Sequence, residues 1–390
     1  MMKPSMAFLA ALLVLLPLAA MGRAAPERGP GPAALVRLGE ALFFDVDLSR
    51  QRTQSCATCH DPAHGFADPR GGPVSLGDDG VARGVRNAPS VSYAGYAPAF
   101  GADAKGNPVG GQFWDGRAAT LADQAGQPLL NPAEMAMPDK ASVVARLKEK
   151  PATVDAFRAA FGPEVFDDNA RAFAALTQAL AAYEQSPAVS PFDSRYDRYL
   201  RGTLALTPQE ELGRVLFFSN QFTNCGQCHK LTPNGGEGET FSNYRFHNIG
   251  TPANPELAVP ADRGLAARAG MKRRKTGEAA SARAYDGQFK VPSLRNVAVT
   301  GPYMHNGVFK DLRTVILFYN TYNSVAPARR INPETGAEWA PPEVAGTLSL
   351  KELESGPALD DRRIDALVAF LKTLTDQRLE PLLEPPAAAR

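Results

Sequence analysis

Two short stretches share one pattern, since residues 56–60 read CATCH and residues 225–229 read CGQCH. Together they contain all four cysteines and two of the five histidines of the chain. In a CxxCH motif the two thiols add to the vinyl groups of a haem, and the adjacent histidine then lies beneath the iron as its proximal ligand. The sequence therefore predicts two covalently bound c-type haems. Their predicted ligands are Cys56, Cys59 and His60 for the first, and Cys225, Cys228 and His229 for the second.

The N-terminus has the pattern of a secretory signal peptide. Lys3 precedes an apolar run from Ala7 to Ala20 that is too short for a comfortable membrane span, and the small residues Gly22 and Ala24 fit a cleavage site after residue 24. We expect residues 1–24 to be removed and the mature protein to lie outside the cytoplasm, which in a bacterium is the periplasm. An uncleaved N-terminal anchor is the alternative interpretation.

Two other interpretations of the cysteines are less favourable. Exported proteins often pair four cysteines in two disulfides, but here every cysteine belongs to a CxxCH motif. A zinc site needs four ligands, and each motif supplies only one histidine beside its two thiols.

The net charge of the chain, +1, argues against a nucleic-acid protein. The one basic run, Lys272 to Lys275, is typical of a solvated loop.

Similar apolar segments precede the two motifs, and this indicates a duplication. Residues 38–44 read LGEALFF and residues 212–218 read LGRVLFF, both with helical apolar spacing. Residues 207–210, TPQE, predict the start of the second of these helices. We predict a mainly α fold of two cytochrome c-like haem domains, with long irregular loops. The predicted domains are residues 25–190 and residues 191–390, each with one haem.

The rest of the chain alternates between helical patterns and loops rich in Gly and Pro. Strand-like alternation is nearly absent, and the haems are the expected organisers of the long loops. Helical patterns occur at residues 139–149, 153–161, 169–184 and 360–374, and the long loops at residues 62–110 and 232–293.

The sixth position on each iron decides between an enzyme and an electron carrier, because an open position binds an oxidant whereas a filled one conducts electrons. Besides the two proximal histidines, only His64, His247 and His305 remain as distal candidates. His64 lies four residues beyond His60, too close along the chain to reach the opposite haem face easily. We interpret it as an ordinary loop or helix-end histidine.

Five further segments resemble the bacterial di-haem cytochrome c peroxidase superfamily, and the resemblance covers essentially the whole mature chain. These segments are GQFWDGR at residues 111–117, NPAEM at 131–135, FKVPSLRN at 289–296, GPYMHNG at 301–307 and ILFYN at 316–320. The last one is similar to a branch of the superfamily in which a tyrosine replaces the methionine ligand of the electron-transfer haem. The resemblance then implies that Tyr319 is the axial partner of His229. Met304 or Met271 is the rival ligand in an ordinary peroxidase, and an aromatic residue of a helical core is the structural alternative.

The resemblance implies that domain 25–190 carries the peroxide-reactive haem, with an open distal face, and that domain 191–390 carries the electron-transfer haem. Peroxidases that gate this site use a loop histidine, but residues 74–78 here read VSLGD. Over the open face the resemblance places Glu134 as general acid/base, Gln124 as a hydrogen-bonding group and Pro128 as a residue that shapes the pocket. Glu134 is equally typical of an acidic residue in the first turn of a helix.

Between the two haems, the resemblance implies a tryptophan and a calcium ion. Trp114 matches the tryptophan relay, although a buried core tryptophan is the alternative. Asn87, with the carbonyls of Thr300 and Pro302, matches the calcium site, and such oxygen ligands suit a hard cation. The sequence around Asn87 is otherwise typical of a turn.

The activity that the resemblance implies is oxidation of tryptophan residues in a partner protein with hydrogen peroxide. The expected partner is precursor methylamine dehydrogenase, whose tryptophan tryptophylquinone would thereby be completed, with a cytochrome or cupredoxin as electron donor. Related enzymes carry a surface tryptophan before the second motif, but residues 220–224 read NQFTN, and the only tryptophan besides Trp114 is Trp339. Phe222 or Tyr244 would then replace it, or the substrate differs.

Three alternatives to this activity stay open. One is a conventional peroxidase that uses small cytochromes, and another is a relative that oxidises a tryptophan in a copper-associated partner. The third is a two-haem electron carrier with both irons six-coordinate. We expect neither nucleic acid nor stable membrane insertion.

Overall fold

The computed structural model describes residues 31–232, 235–268 and 282–384. The predicted signal peptide, the basic run at residues 272–275 and Met271 lie outside these ranges. In the described part of the chain, no helix has both the length and the apolar character needed to cross a membrane.

The described residues form mostly helices, with two small antiparallel strand pairs. The helices are α1 Pro32–Phe43, α2 Cys56–Cys59, α3 Leu121–Ala125, α4 Gln127–Leu130, α5 Lys140–Lys148, α6 Pro151–Phe161, α7 Asn169–Glu184, α8 Arg195–Leu200, α9 Pro208–Phe218, α10 Leu312–Asn320, α11 Leu350–Leu353 and α12 Asp361–Lys372. The strands are β1 Gly101–Ala102, β2 Pro108–Val109, β3 Phe246–His247 and β4 Phe289–Lys290, with β1 paired to β2 and β3 to β4.

In the first half of the chain, the LGEALFF segment lies on α1 and packs against α7. Gly39 makes this contact possible, because a Cβ there would collide with the carbonyl oxygen of Ala179 and would lie 2.9 Å from the Cβ of Tyr183. Leu42 and Phe43 are buried in the same core. The backbones of α1 and α7 therefore approach closely at a residue that must lack a side chain.

The second half repeats this arrangement with α9 and α12. A Cβ on Gly213 would collide with the carbonyl oxygen of Ala366 and lie 2.7 Å from the Cβ of Phe370. Thr207 caps α9 by accepting a hydrogen bond from the N–H of Glu210, whose side chain accepts from the N–H of Thr207. This reciprocal cap is the one that the TPQE segment predicts.

Buried apolar residues form two hydrophobic clusters, one drawn from residues 38–189 and the other from residues 196–374. Polar contacts join the two halves of the chain. The hydroxyl of Tyr93 donates to Asp376 at 2.5 Å, and Arg86 forms an ion pair with Asp262 at 2.6 Å. The predicted mainly α fold with irregular loops is confirmed, and helices occur at all four predicted positions. The exact domain boundary near residue 190 stays a prediction.

Candidate haem-binding sites

The first CxxCH motif lies at the edge of a cavity in the N-terminal half. Helix α2 begins at Cys56 and ends at Cys59, and His60 follows directly. All three residues line the cavity. The Nδ1 atom of His60 lies 3.1 Å from the carbonyl oxygen of Phe66, which can only accept, so Nδ1 carries the proton and donates. This bond leaves Nε2 as a free lone pair, and burial lowers the pKa of the imidazole.

The second motif has the same local geometry. Cys225, Cys228 and His229 line a second cavity, and Nδ1 of His229 donates to the carbonyl oxygen of Phe241 at 3.0 Å. Burial lowers the pKa of His229 to about 4, so the ring is neutral at physiological pH. A neutral imidazole with an oriented Nε2 is what an iron ligand requires.

These residues fit two c-type haems. Each cavity combines two half-buried thiols that are not joined in a disulfide with one neutral, oriented imidazole. At both sites the histidine is bonded to the backbone carbonyl of a phenylalanine, as expected for a duplicated haem domain. Hydrogen bonding of the proximal histidine to a carbonyl also fixes its ring and raises its strength as a ligand.

Gln124, Pro128 and Glu134 line the N-terminal cavity together with His60. Glu134 accepts a hydrogen bond at 2.8 Å from the side-chain amide of Asn131, and burial raises the pKa of its carboxyl group. The alternative that Glu134 is a first-turn helix acid is wrong. It lies in a turn between α4, which ends at Leu130, and α5, so its burial cannot be explained by helix capping.

The histidines that could have closed the N-terminal site lie elsewhere. Among the described residues that line this cavity, His60 is the only histidine. His64 is exposed on a short 3-10 turn, where its Nδ1 lies 3.0 Å from Asp61, as expected for an ordinary loop histidine. The loop at residues 74–78 contributes Ser75 to the cavity wall.

In the C-terminal cavity, Tyr319 projects from α10 and lines the same space as His229. Burial raises the pKa of its phenol. Met304 and His247 also line this cavity, and Nε2 of His247 is buried without a hydrogen-bond partner among the described residues. His305 is engaged otherwise, because its Nε2 lies 3.0 Å from Glu343 and its ring stacks on Phe289 with 3.7 Å between centres.

Trp114 lines both cavities, as do residues 87–90. Its indole N–H donates to the carbonyl oxygen of Asn87 at 2.8 Å, and its own carbonyl accepts from the N–H of Lys290. Two backbone contacts from different parts of the chain thus hold the indole between the sites. Trp114 is only half-buried, so it is not a residue of either hydrophobic core.

The predicted calcium ligands come from both halves of the chain and meet beside the C-terminal cavity. Asn87, Thr300 and Pro302 all line this cavity, and the N–H of Asn87 donates to the carbonyl oxygen of His305 at 2.7 Å. Within the described ranges, no group of three or more His, Cys, Asp or Glu side chains could hold a metal ion. A metal at this position would therefore depend on amide and carbonyl oxygens.

The sequence alone did not reveal a charged network in the wall of the N-terminal cavity. Arg86 pairs with Asp115 at 2.8 Å and with Asp262 at 2.6 Å, and all three residues line the cavity. Arg86 and Asp262 are 176 positions apart, so no local pattern could have paired them. Asp115 was visible only as part of the GQFWDGR segment.

Two buried ionisable side chains also escaped the sequence analysis. Glu184 lines the N-terminal cavity at the end of α7, and burial raises its pKa to about 8. Lys290 lines the other cavity, and burial lowers its pKa to about 8. Glu184 belongs to no motif, and Lys290 was visible only as part of the FKVPSLRN segment.

Several known haem proteins resemble this chain in sequence or in structure. A family model described as di-haem cytochrome c peroxidase matches residues 33–205. The methylamine utilization protein MauG of Paracoccus denitrificans is 55% identical over 397 residues, covering 99% of both chains. The di-haem peroxidase BthA of Burkholderia thailandensis superposes with a TM-score of 0.78 at 34% identity over 92% of each chain. A MauG-like protein associated with microbial copper homeostasis gives a TM-score of 0.67 at 30% identity, covering 95% of this chain and 98% of the other. The chain belongs to the di-haem cytochrome c peroxidase family, and it is an oxidoreductase with two c-type haems.

Proposed function

We propose that this enzyme uses hydrogen peroxide to oxidise tryptophan residues of a partner protein, and that the partner is precursor methylamine dehydrogenase. The main observation behind this proposal is that Trp114 lines two cavities whose other lining residues differ. The described lining of the N-terminal cavity includes Glu134 and Gln124 but no histidine besides His60, whereas the C-terminal cavity has Tyr319. The 55% identity to a methylamine utilization protein supports this choice of partner.

Bound haem iron supplies the redox chemistry with peroxide, and the chain supplies proton transfer and positioning. Glu134 accepts a peroxide proton on its carboxylate and returns it to the other oxygen, with Asn131 holding Oε1. The side-chain amide of Gln124 would donate a hydrogen bond to an oxygen of the peroxide, and Pro128 limits the space available. The raised pKa of Glu134 brings the carboxyl group closer to neutral pH, where both steps are feasible.

Tyr319 and Trp114 serve electron movement in this proposal. Tyr319 and His229 would together hold the C-terminal haem iron, and a phenolate ligand would favour higher iron oxidation states more than a thioether does. Burial raises the pKa of this phenol, so it would ionise only where a bound cation such as iron stabilises the phenolate. Trp114 lies between the cavities and offers an oxidisable indole to both.

The partner acts from outside the cavities. Methylamine dehydrogenase is too large to enter a buried haem pocket, so electrons must cross a docked surface. The enzyme works in the periplasm after removal of residues 1–24, with a cytochrome or cupredoxin as electron donor. Calcium bound by Asn87 and the carbonyls of Thr300 and Pro302 joins the two haem domains, whose proposed bounds are 25–190 and 191–390.

Two other activities have specific support. The likeness to the peroxidase BthA favours a conventional peroxidase that draws electrons from small cytochromes. The likeness to the protein associated with copper homeostasis favours a tryptophan in a copper-associated partner. Met304 and His247 are the rival axial ligands, since both line the C-terminal cavity.

The test supplies peroxide to the holoprotein together with either precursor methylamine dehydrogenase or a reduced small cytochrome. We expect quinone absorbance to develop in the precursor, and cytochrome oxidation to be slower. Replacing Tyr319 by His keeps both haems attached, as a pyridine haemochrome assay would show, but abolishes quinone formation. Met304→Leu is the matched control and retains it. Rapid cytochrome oxidation without quinone formation would favour the conventional peroxidase, and full activity of Tyr319→His would remove Tyr319 from the ligand set.

A further inference from the structure

Three aromatic side chains form a continuous path from the C-terminal cavity to the protein surface. Tyr319 lines the cavity, and its ring centre lies 5.8 Å from that of Phe318. The ring of Phe318 lies 5.8 Å from that of Trp339, which also packs edge-on against Phe309 at 5.7 Å. Phe318 and Phe309 are buried, whereas Trp339 is half-buried and reaches solvent. Tyr319 and Trp339 can be no farther apart than the two 5.8 Å steps placed end to end.

We propose that Trp339 is the residue through which electrons enter this enzyme from its protein substrate. The inference rests on the proposed function. In each step, Trp339 first loses one electron, which passes by way of Tyr319 to the C-terminal haem. The oxidised Trp339 then takes one electron from an indole of the partner. Two such steps, with two protons released by the oxidised partner, reduce one hydrogen peroxide to two water molecules. Trp339 is oxidised and reduced in turn and is unchanged after each turnover.

The surroundings of Trp339 suit a reversible one-electron step. Its indole N–H donates to the carbonyl oxygen of Arg329 at 2.9 Å. An indole nitrogen is a donor only, and a backbone carbonyl is too weak a base to remove its proton. The oxidised indole therefore keeps its proton, and its reduction by the partner requires only an electron. The Arg329 side chain is itself neutralised by Asp361 at 3.0 Å.

The two aromatic residues near the second haem motif fit this role less well. Phe222 is 44% exposed, but its phenyl ring is much harder to oxidise than an indole. Tyr244 is oxidisable but only 5% exposed, and its hydroxyl donates to Thr240 at 2.7 Å inside the protein. Trp339 alone among these three combines an oxidisable ring with access to solvent.

The surface beside Trp339 can receive an apolar partner segment. Ile331 is 41% exposed and is bridged to Glu338, the residue that precedes the tryptophan. Tryptophan is enriched at the centres of protein interfaces. We therefore place the docking site for the tryptophan-bearing partner on the segment around Trp339, where the electron path ends.

Two variants of Trp339 test this role against a matched control. Trp339→Phe keeps the packing on Phe318 but removes the oxidisable indole, while Trp339→Tyr restores an oxidisable ring. Tyr244→Phe serves as the control for the rival path. We expect Trp339→Phe to lower the turnover number for partner oxidation at least tenfold with little change in KM, Trp339→Tyr to recover part of it, and Tyr244→Phe to match the parent.

A second readout does not depend on the partner. When peroxide is given to the holoprotein alone, oxidation should accumulate on Trp339, visible as a mass increase of its tryptic peptide and as a tryptophan radical signal that Trp339→Phe lacks. An unmodified Trp339 peptide, or parent turnover in Trp339→Phe, overturns the inference. If the parent oxidises no protein tryptophan, the proposed function fails, yet the peptide map still decides whether electrons leave Trp339.

Discussion

Glu134 lines the N-terminal cavity, where we propose that it carries a proton, and its environment sets its pH behaviour. Burial raises the pKa of its carboxyl group above the usual 4.5, and Asn131 opposes this shift by donating to the carboxylate. The proton-accepting form is the carboxylate, which is present above the pKa and is lost as the pH falls through it. The peroxide reaction of the parent enzyme should therefore decline on acidification at a pH higher than an exposed glutamate would give.

The substitution Glu134→Gln keeps the size of the side chain and removes the proton carrier. Loss of a general acid/base typically lowers a rate by about 10²–10⁴-fold. We expect a loss of this size in the stopped-flow reaction with peroxide, and a flat pH profile in place of the acidic decline. Haem content and the reduced spectrum should match the parent. A variant as fast as the parent would show that Glu134 is only a structural residue.

At the scale of single residues, the sequence predicted the role of side chains that act together with close neighbours in the sequence. CxxCH requires neighbours on one turn of chain, so Cys56, Cys59 and His60 are visible without a structure. The environment of Glu134 was not visible in this way, because the residues after Asn131 are compatible with a helix start as well as with the turn that forms. Burial and a raised pKa are products of packing, which local spacing does not encode.

The repeated helix pairs show which part of the fold was predictable at the level of elements. The apolar spacing of LGEALFF and LGRVLFF predicted α1 and α9, and the cap residues predicted the start of α9. Their partners, α7 and α12, were predicted as helices but not as partners. The reason is that the close contacts of Gly39 with Ala179 and of Gly213 with Ala366 join residues more than 100 positions apart.

These two glycines allow a test of the helix pairs. Gly39→Ala and Gly213→Ala each place a methyl group against the backbone carbonyl of the facing helix, and overpacking of this kind typically costs about 1–3 kcal/mol. We expect both variants to unfold at lower temperature than the parent in circular dichroism. Gly346→Ala is the control, since no atom lies within 4 Å of its added Cβ. An unchanged midpoint in both variants would contradict the close crossing of the helix pairs.

On the scale of the whole molecule, contacts between the two halves surround Trp114, through which we propose that electrons pass. Asn87 belongs to the first half, its N–H bonds to His305 of the second, and its carbonyl holds the indole of Trp114. Arg86, the preceding residue, pairs with Asp262 across the same junction. No sequence pattern joins these residues, because each contact depends on how the halves dock.

Calcium at Asn87, Thr300 and Pro302 would stabilise this junction, and its removal gives the last prediction. A ligand that binds only the folded protein raises its stability by an amount that grows with ligand concentration, about 2.7 kcal/mol at one hundred times the dissociation constant. We expect metal analysis to find calcium in the purified holoprotein, and EGTA to lower its melting temperature until calcium, but not magnesium, is restored. Magnesium should fail because it demands a stricter octahedral geometry and sheds water reluctantly. Asn87→Leu should melt at the lower temperature with or without calcium, whereas Asn107→Ala, in the exposed turn between β1 and β2, should respond as the parent does. A parent protein that contains no calcium and melts identically in EGTA would mean that hydrogen bonds and the Arg86 ion pairs alone hold the two halves in register.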